Sequence, residues 1–337
     1  MIIDCHGHYT TTPPQHEGWR KAQIDAKGNP GSDAPAISDD EIRESLEAVQ
    51  LRLQRERGTD MTIFSPRAGG MGHHIGTEEM SRAWARNCND LIKRVCDLYP
   101  ENFAPVCQLP QSPGVSPTGS IPELVRCVEE MGFVGCNLNP DPSGGFWTDP
   151  PITDPWWFDF FAKMEELQVP AMIHVSQSCN PNFHFTGAHY INADTAVFMQ
   201  LLKSDLFTRF PKLKLIIPHG GGAVPYHWGR YRGIAMDMKR PEPAALMEGN
   251  LFFDTCVYHQ PGIDLLAGVV PVDNILFASE MHGAVKCKDP DTGFFFDDTR
   301  RYIESNAALS AEDKEKIYWK NAAKVFPRLR LPATKEV

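Results

Sequence analysis

Short apolar runs alternate along this chain with longer stretches of helical periodicity. Apolar runs of this length predict strands buried on both faces, and such strands, joined by crossover helices, form a parallel sheet. Eight units of this kind in 337 residues predict a (β/α)8 TIM barrel of class α/β. A doubly wound open sheet is the alternative, but the first run lacks the Gly-x-Gly-x-x-Gly turn that would favour it. The predicted strands are residues 2–5, 61–65, 103–108, 134–138, 171–175, 213–218, 251–255 and 274–278.

A single barrel domain is predicted over residues 1–326, followed by a C-terminal tail at 327–337. Long loop insertions are predicted after the first and fourth strands, at 9–38 and 139–155. Both insertions follow strand ends that carry candidate site residues, so we expect them to cover the site; solvated insertions are the alternative. The predicted helices are residues 39–57, 78–99, 121–131, 156–167, 193–210, 261–268 and 311–325.

Histidines and one acid fall at the ends of the predicted strands. His6 and His8 end the first strand, and side chains two residues apart on a strand point the same way, so both can reach one ion. The other candidates, at the fifth, sixth and eighth strand ends, are His174, His219 and Glu280. The C-terminal ends of barrel strands share the face where active sites lie. Singly, each histidine is equally well explained as a satisfied core or loop residue; together they predict a metal site.

The kinds of ligand indicate which metal is bound. Imidazole and carboxylate groups suit Zn²⁺ best, with Mn²⁺, Fe²⁺ or Co²⁺ as substitutes. Three imidazoles and one carboxylate hold one ion. A carbamylated lysine bridging two ions has no donor here, because Asn-Leu-Asn stands at 137–139 after the fourth strand.

Composition excludes several other classes of protein. The net charge of −10, with no basic run, argues against nonspecific nucleic-acid binding. The nine cysteines include no Cys-x-x-Cys pair and are expected to be reduced thiols in a cytoplasmic protein. We expect no signal peptide and no membrane partner, since no apolar stretch approaches the roughly 20 residues that span a bilayer.

These motifs together resemble the amidohydrolase superfamily. The resemblance rests on Asp-x-His-x-His at 4–8, a histidine at 174, His-Gly-Gly-Gly at 219–222 and an acid at 280, and it extends to the closing segment 319–322. It places the chain in the amidohydrolase-related branch of decarboxylases and hydratases. Most members of that branch have Gly-Ser-Asp-x-Pro after the eighth strand, where this chain has Ala-Ser-Glu-Met-His at 278–282.

The chain is similar to the 4-oxalomesaconate hydratases of the branch at this differing segment, at the opening segment 2–10 and at the run 297–303. The resemblance implies addition of water to the C=C bond of 4-oxalomesaconate, giving 4-carboxy-4-hydroxy-2-oxoadipate in protocatechuate and gallate catabolism. It further implies His6, His8, His174 and Glu280 as metal ligands, and a homo-oligomer. We expect Glu280 to act as general base, and His219 or Tyr190 to return a proton to carbon. No role is predicted for His282.

Other functions use the same ligands. A metal-dependent decarboxylase would release carbon dioxide from an aromatic or muconate-type acid, and a metal-dependent hydrolase would direct water to a carbonyl carbon. A non-catalytic metal-binding protein is a third alternative. The His-Gly-Gly-Gly loop also resembles the oxyanion loop of esterases, but no Gly-x-Ser-x-Gly nucleophile motif is present.

A tricarboxylate substrate requires cationic or amide partners near the site. The candidates follow the second, fifth and sixth strands, and Arg67 beside its Gly-Gly pair is the first choice. Each of them is equally explained as a solvated loop residue. The four candidates are Arg67, His73, Asn182 and Arg230.

Overall fold

The computed structural model describes residues 1–332 and contains one sheet of eight parallel strands. The strands are β1 (Ile3–Tyr9), β2 (Met61–Pro66), β3 (Phe103–Gln108), β4 (Gly135–Leu138), β5 (Ala171–Ile173), β6 (Leu215–Ile217), β7 (Leu251–Asp254) and β8 (Ile275–Leu276). They pair in chain order from β1 to β8. The amide of Cys5 donates to the carbonyl of Phe277 at 2.9 Å and so bridges the seam between the first and last strands. The predicted (β/α)8 barrel is confirmed.

Helices follow the strands around the outside of the sheet. They are α1 (Pro14–Ala26), α2 (Asp39–Ala48), α3 (Gln50–Arg57), α4 (Glu78–Leu98), α5 (Ile121–Val125), α6 (Phe158–Leu167), α7 (Tyr190–Leu202), α8 (Leu206–Arg209), α9 (Trp228–Asp237), α10 (Pro243–Met247), α11 (Gln260–Val269), α12 (Arg300–Ser305), α13 (Ala311–Glu315) and α14 (Asn321–Val325). Single π-helical turns extend α5, precede α7 and join α13 to α14. Most of the large buried side chains lie in one cluster that packs the helices against the sheet.

A second apolar cluster fills the N-terminal end of the barrel. It includes Ile3 and Cys5 of β1 and Phe252 of β7, and α14 adds Ala322 and Val325. Apolar side chains therefore close this end of the barrel. The polar side chains lie at the opposite end, where barrel active sites are found.

The strand that carries the first two histidines is irregular. Its pairing with β2 shifts between Asp4 and Gly7. A Cβ atom on Gly7 would lie 2.2 Å from Cγ2 of Thr62, so only glycine fits between the two histidines while β2 remains in contact.

Three local predictions need correction, and one of them is the helix predicted at 193–210, where α7 ends at Leu202 and α8 begins at Leu206. The insertion after β1 is present but is not all loop, because α1 forms within it and buries His16, Trp19, Arg20 and Gln23 at helical spacing. Since three of these four buried residues are polar, the apolar pattern that signals a helix was missing. The helix predicted at 39–57 is two helices, because Val49 leaves the helical region at φ −135°, ψ −75°. The segment 139–155 is irregular, as predicted.

The predicted tail at 327–337 falls partly on residues 333–337, which lie outside the described residues. Within the described part, Arg328 donates to the carbonyl of Leu167 at 2.7 Å and to Glu129 at 2.9 Å, so this residue is attached to the barrel. Among residues 1–332, no helix combines the length and apolar character needed to cross a bilayer.

Candidate active site

Three histidines meet at the C-terminal end of the barrel. Nε2 of His6 lies 3.0 Å from Nε2 of His8, which in turn lies 3.2 Å from Nε2 of His174. All three side chains are buried. His174 directly follows β5, and its amide donates to the carbonyl of Leu138 in β4 at 2.8 Å, which holds the residue at the same barrel end as the β1 pair. The structure therefore brings together three of the predicted metal ligands.

The other ring nitrogen of each histidine has an acceptor, which sets the tautomer. The three pairs are Nδ1 of His6 with Oδ2 of Asp254 at 2.8 Å, Nδ1 of His8 with Oγ of Ser65 at 2.7 Å, and Nδ1 of His174 with the carbonyl oxygen of Val175 at 2.8 Å. Each Nδ1 therefore carries the hydrogen, and each Nε2 presents a lone pair to the other two. Such outer partners orient metal-binding histidines and increase their basicity.

This donor set fits a divalent cation. Three lone pairs turned toward one another repel unless a cation lies between them, and Zn–N bonds of about 2.0–2.1 Å would place tetrahedral ligand nitrogens roughly 3.3 Å apart. Burial, followed by the charges of neighbouring histidines, lowers the pKa values of His8 and His174 and keeps both rings in the neutral form that binds metal.

Glu280 approaches this cluster from the loop after β8, in a set of close ligand atoms that includes His219 and not His8. Its carboxylate and the rings of His6, His174 and His219 offer ligand atoms that all lie within 4.8 Å of one another. Tyr258 donates a hydrogen bond of 2.7 Å to Oε2 of Glu280. Burial, followed by the charge of Glu280, raises the pKa of Tyr258 well above its ordinary value, so the phenol stays a donor. Glu280 has φ +50°, a left-handed conformation that is uncommon outside glycine and often accompanies function.

His219 approaches the same point from the loop after β6. Its Nδ1 lies 2.8 Å from Oδ2 of buried Asp194, and its Nε2 lies 4.0 Å from Oε2 of Glu280. Burial by itself would lower the pKa of His219, but the carboxylates of Asp194, Glu280 and Asp254 raise it to about 9. A cation bound nearby opposes that shift. Within residues 1–332, Nε2 of His219 has no hydrogen-bond partner, so it is free to face a substrate.

Sequence reasoning missed the partners that orient these groups. Asp254 was the easiest to find, because it is the last residue of β7 and so lies at the same barrel end. Its Oδ1 also accepts the amide hydrogens of Gly220 and Cys256, both at 3.0 Å, so one carboxylate holds both His6 and the His219 loop. Ser65, Asp194 and Tyr258 had no distinguishing pattern in the sequence.

A cavity of about 350 Å³ opens above these residues. His8, His174, Tyr190 and Glu280 contribute to its lining. Tyr190 packs its ring 5.0 Å from that of His174 and 5.5 Å from that of His219, measured between ring centroids. The loops after β2 and β8 add two cations to the lining, Arg67 and Lys286.

The other predicted substrate-binding residues lie outside this lining. His73 is buried, with Nε2 3.1 Å from the carbonyl oxygen of Leu109 and Nδ1 2.8 Å from Nδ2 of Asn139. Asn182 and Arg230 are exposed. Of the four candidates, only Arg67 borders the cavity, whereas Lys286 borders it without having been predicted.

Comparison with known proteins gives full-length matches. The family model described as amidohydrolase matches residues 3–328. A 2-keto-4-carboxy-3-hexenedioate hydratase of Sphingobium sp. is 60% identical over 331 residues, which cover 98% of this chain and 97% of that protein.

Solved structures agree with these matches. The crystal structure of 4-oxalomesaconate hydratase from Rhodopseudomonas palustris has a TM-score of 0.91 at 55% identity, covering 97% of this chain and 96% of that one. A dihydroxybenzoic acid decarboxylase from Polaromonas sp., solved with bound manganese and an inhibitor, has a TM-score of 0.69 at 21% identity, with 97% and 96% covered. The second likeness shows a shared fold.

Proposed function

The chain belongs to the amidohydrolase family, and from that premise we propose that it is a hydro-lyase that adds water to the C=C bond of 4-oxalomesaconate. The observation that carries this proposal is the 60% identity, over 98% of the chain, to a hydratase of 2-keto-4-carboxy-3-hexenedioate. The two substrate names describe the same seven-carbon tricarboxylate, a six-carbon chain with a third carboxylate on C4, a ketone at C2 and the double bond between C3 and C4. The product is 4-carboxy-4-hydroxy-2-oxoadipate, which places the reaction in the catabolism of aromatic acids.

This addition needs a base and a proton donor. Oxygen of water bonds to C4 while a base takes a proton from that water. The C=C electron pair moves toward the ketone and gives an enolate, and C3 then receives a proton from a donor. The net change is the addition of one water molecule with no change in oxidation state.

We propose that His6, His8, His174 and Glu280 hold one divalent ion, and that the ion is Zn²⁺, with Mn²⁺, Fe²⁺ or Co²⁺ as substitutes. The converging Nε2 lone pairs of the three histidines support this assignment. When bound, such an ion supplies Lewis acidity that lowers the pKa of water.

Glu280 is the proposed general base and His219 the proposed proton donor. Tyr258 holds Oε2 of Glu280, which fixes the direction of the carboxylate while leaving its other oxygen to accept a proton. His219, whose pKa is raised by Asp194, is proposed to carry the donated proton on Nε2, the nitrogen that lies 4.0 Å from Oε2 of Glu280. Tyr190 is a second proposed donor, because burial, followed by the charge of Glu280, raises its pKa and keeps the phenol protonated beside His219.

Arg67 and Lys286 are proposed to bind carboxylates of the substrate. Both line the cavity, and both are exposed loop residues. Arg67 is half exposed, and the one ionic partner that it reaches within residues 1–332 is Glu17, at 3.9 Å. In a chain of net charge −10, local cations are needed to attract a trianion. His73, Asn182 and Arg230 remain predictions without this support from position.

Replacing Arg67 or Lys286 with methionine is expected to raise KM by about tenfold or more, since a hydrogen bond to a charged group contributes about 1.5–3 kcal/mol. The kcat value should change much less, because these cations hold parts of the substrate remote from the C=C bond. Steady-state kinetics measures both. Arg43→Met, at an exposed arginine of α2, is the control and should leave KM unchanged. An unchanged KM in both site variants would remove these cations from the substrate site.

The reaction itself is tested with 4-oxalomesaconate in ¹⁸O-labelled water. We expect loss of the enone absorbance, a product heavier than the substrate by one labelled water, and no carbon dioxide. Protein stripped of metal with a chelator is the control and should be inactive until metal is restored. Release of carbon dioxide would instead support a decarboxylase and contradict the hydratase proposal.

Two wider proposals accompany this function. We place the enzyme in a reducing compartment such as the cytoplasm, which is supported by nine free cysteines in the part of the chain described. We also propose a homo-oligomer, which rests on the family resemblance.

A further inference from the structure

The backbone that carries Glu280 is held in an unusual turn. Glu280 and His282 both have positive φ, at +50° and +57°. Neither residue is glycine, so both conformations are unfavourable unless the surroundings impose them. The amide of Gly283 closes the turn by donating to the carbonyl of Glu280 at 2.8 Å. A Cβ atom on Gly283 would lie 2.6 Å from that carbonyl oxygen, so this turn admits only glycine there.

Asp297 is the residue that holds this turn from outside. Its side chain is buried, and its Oδ2 accepts the backbone amide hydrogen of His282 at 2.7 Å. At the carbonyl of the same residue, His282, the hydroxyl of Thr10 donates a hydrogen bond of 3.0 Å. Both peptide groups of a strained residue are therefore bonded to groups distant in the sequence.

Arg57, the last residue of α3, holds the Asp297 side chain in place. Its Nη2 lies 2.7 Å from Oδ1 of Asp297, and its Nη1 donates to the backbone carbonyl of Asp297 at 3.1 Å. Both carboxylate oxygens are thus occupied, one by the guanidinium and one by the turn. The pair is buried, with side-chain exposures of 7% and 2%. Buried ion pairs add little net stability compared with apolar packing, so stability alone does not account for this pair.

We propose that the Arg57–Asp297 ion pair is a positioning device that imposes the left-handed turn at residues 280–283 and thereby aims the Glu280 carboxylate at the histidine cluster. Without the Asp297 acceptor, the amide of His282 loses its partner, and relaxation of the turn to an ordinary conformation swings Glu280 out of reach of the site. Among residues 1–332, neither Asp297 nor Arg57 lines the cavity or bonds to His6, His8 or His174, so they act through the turn that carries Glu280. This inference rests on the proposed role of Glu280 as base.

The test combines Asp297→Asn with Glu280→Gln in a double-mutant cycle. Asparagine keeps the size of the side chain but places an amide group against either Arg57 or the amide of His282, so one bond is lost. We expect kcat of the single variant to fall by about 100-fold, as for a displaced acid–base group, with KM changed by less than about threefold. A chelator should also remove the metal faster. In the Glu280→Gln background, Asp297→Asn should change residual kcat and metal release by less than about twofold.

Glu123→Gln is the matched control. Glu123 forms a comparably buried ion pair with Arg126 on the outside of the barrel, and its loss should lower the melting temperature without changing kcat. Arg57→Lys provides a second variant in case Asp297→Asn folds poorly, because lysine keeps the charge but loses the two-pronged contact.

The outcomes separate this inference from the proposed function. A fall in kcat of equal size in both backgrounds, or an equal rise in KM, would show that the ion pair acts independently of Glu280 and would overturn the inference. Unchanged kcat in a folded Asp297→Asn protein would overturn it as well. Full activity of Glu280→Gln would instead overturn the proposed role of Glu280.

Discussion

Replacing Glu280 with glutamine is expected to lower kcat by roughly 10³-fold or more while most of the metal stays bound. Glutamine has the same shape and keeps an oxygen that can accept the bond from Tyr258, but its amide cannot take a proton from water. Three converging imidazoles remain to hold the ion. Steady-state kinetics and elemental analysis on the same preparation measure the two effects.

The control is Glu242→Gln, at an exposed glutamate paired with Arg232, which should change neither quantity. Equal loss of metal and activity in Glu280→Gln would show that Glu280 serves only as a ligand. Equal retention of both would remove it from the mechanism.

Replacing His174 with alanine is expected to remove most of the metal and, with it, the activity. His174 supplies one of three Nε2 lone pairs, and its Nδ1 bond to the carbonyl of Val175 already sets the required tautomer. Loss of an oriented partner alone typically costs 10–100-fold in metal affinity, so loss of the ligand itself should cost about 100-fold or more. Elemental analysis and competition with a chelator give the occupancy and the affinity.

His227→Ala is the control for that experiment, because His227 is an exposed histidine that follows β6 outside the cluster. It should keep about one metal ion per chain, as we expect of the unmodified protein. A His174→Ala protein that remained fully occupied would take His174 out of the ligand set.

The barrel could be predicted because its signals are local. Apolar runs and crossover lengths are read from neighbouring residues, and eight of them in order leave few arrangements. The errors occurred where tertiary contacts replaced the apolar pattern. In α1 the buried face includes Arg20, whose guanidinium donates to the carbonyl of Met71 at 3.0 Å, so a charged residue occupies a position that an apolar one would have marked.

The site was predicted in part for the same reason. The meeting of His6, His8 and His174 could be predicted because strand ends are visible in a sequence and all strands of a barrel end on one face. The choice of Arg67 agrees with its place in the cavity lining, whereas Lys286 was missed because it lies six residues past Glu280 in an irregular loop. Nothing in the sequence distinguishes a cation that faces a cavity from one that faces solvent.

The sequence by itself determined the order of strands, the barrel end that bears the site and the residues able to bind metal, because these follow from short-range periodicity and from the geometry shared by all barrels. Only the tertiary structure decided which nitrogen of each histidine is free and what directs Glu280. Asp254 bonds to His6 across 248 positions and Arg57 to Asp297 across 240. A hydrogen bond requires its donor and acceptor atoms to be placed to within a few tenths of an ångström. Residues so far apart in the sequence reach that placement only once the whole barrel has packed.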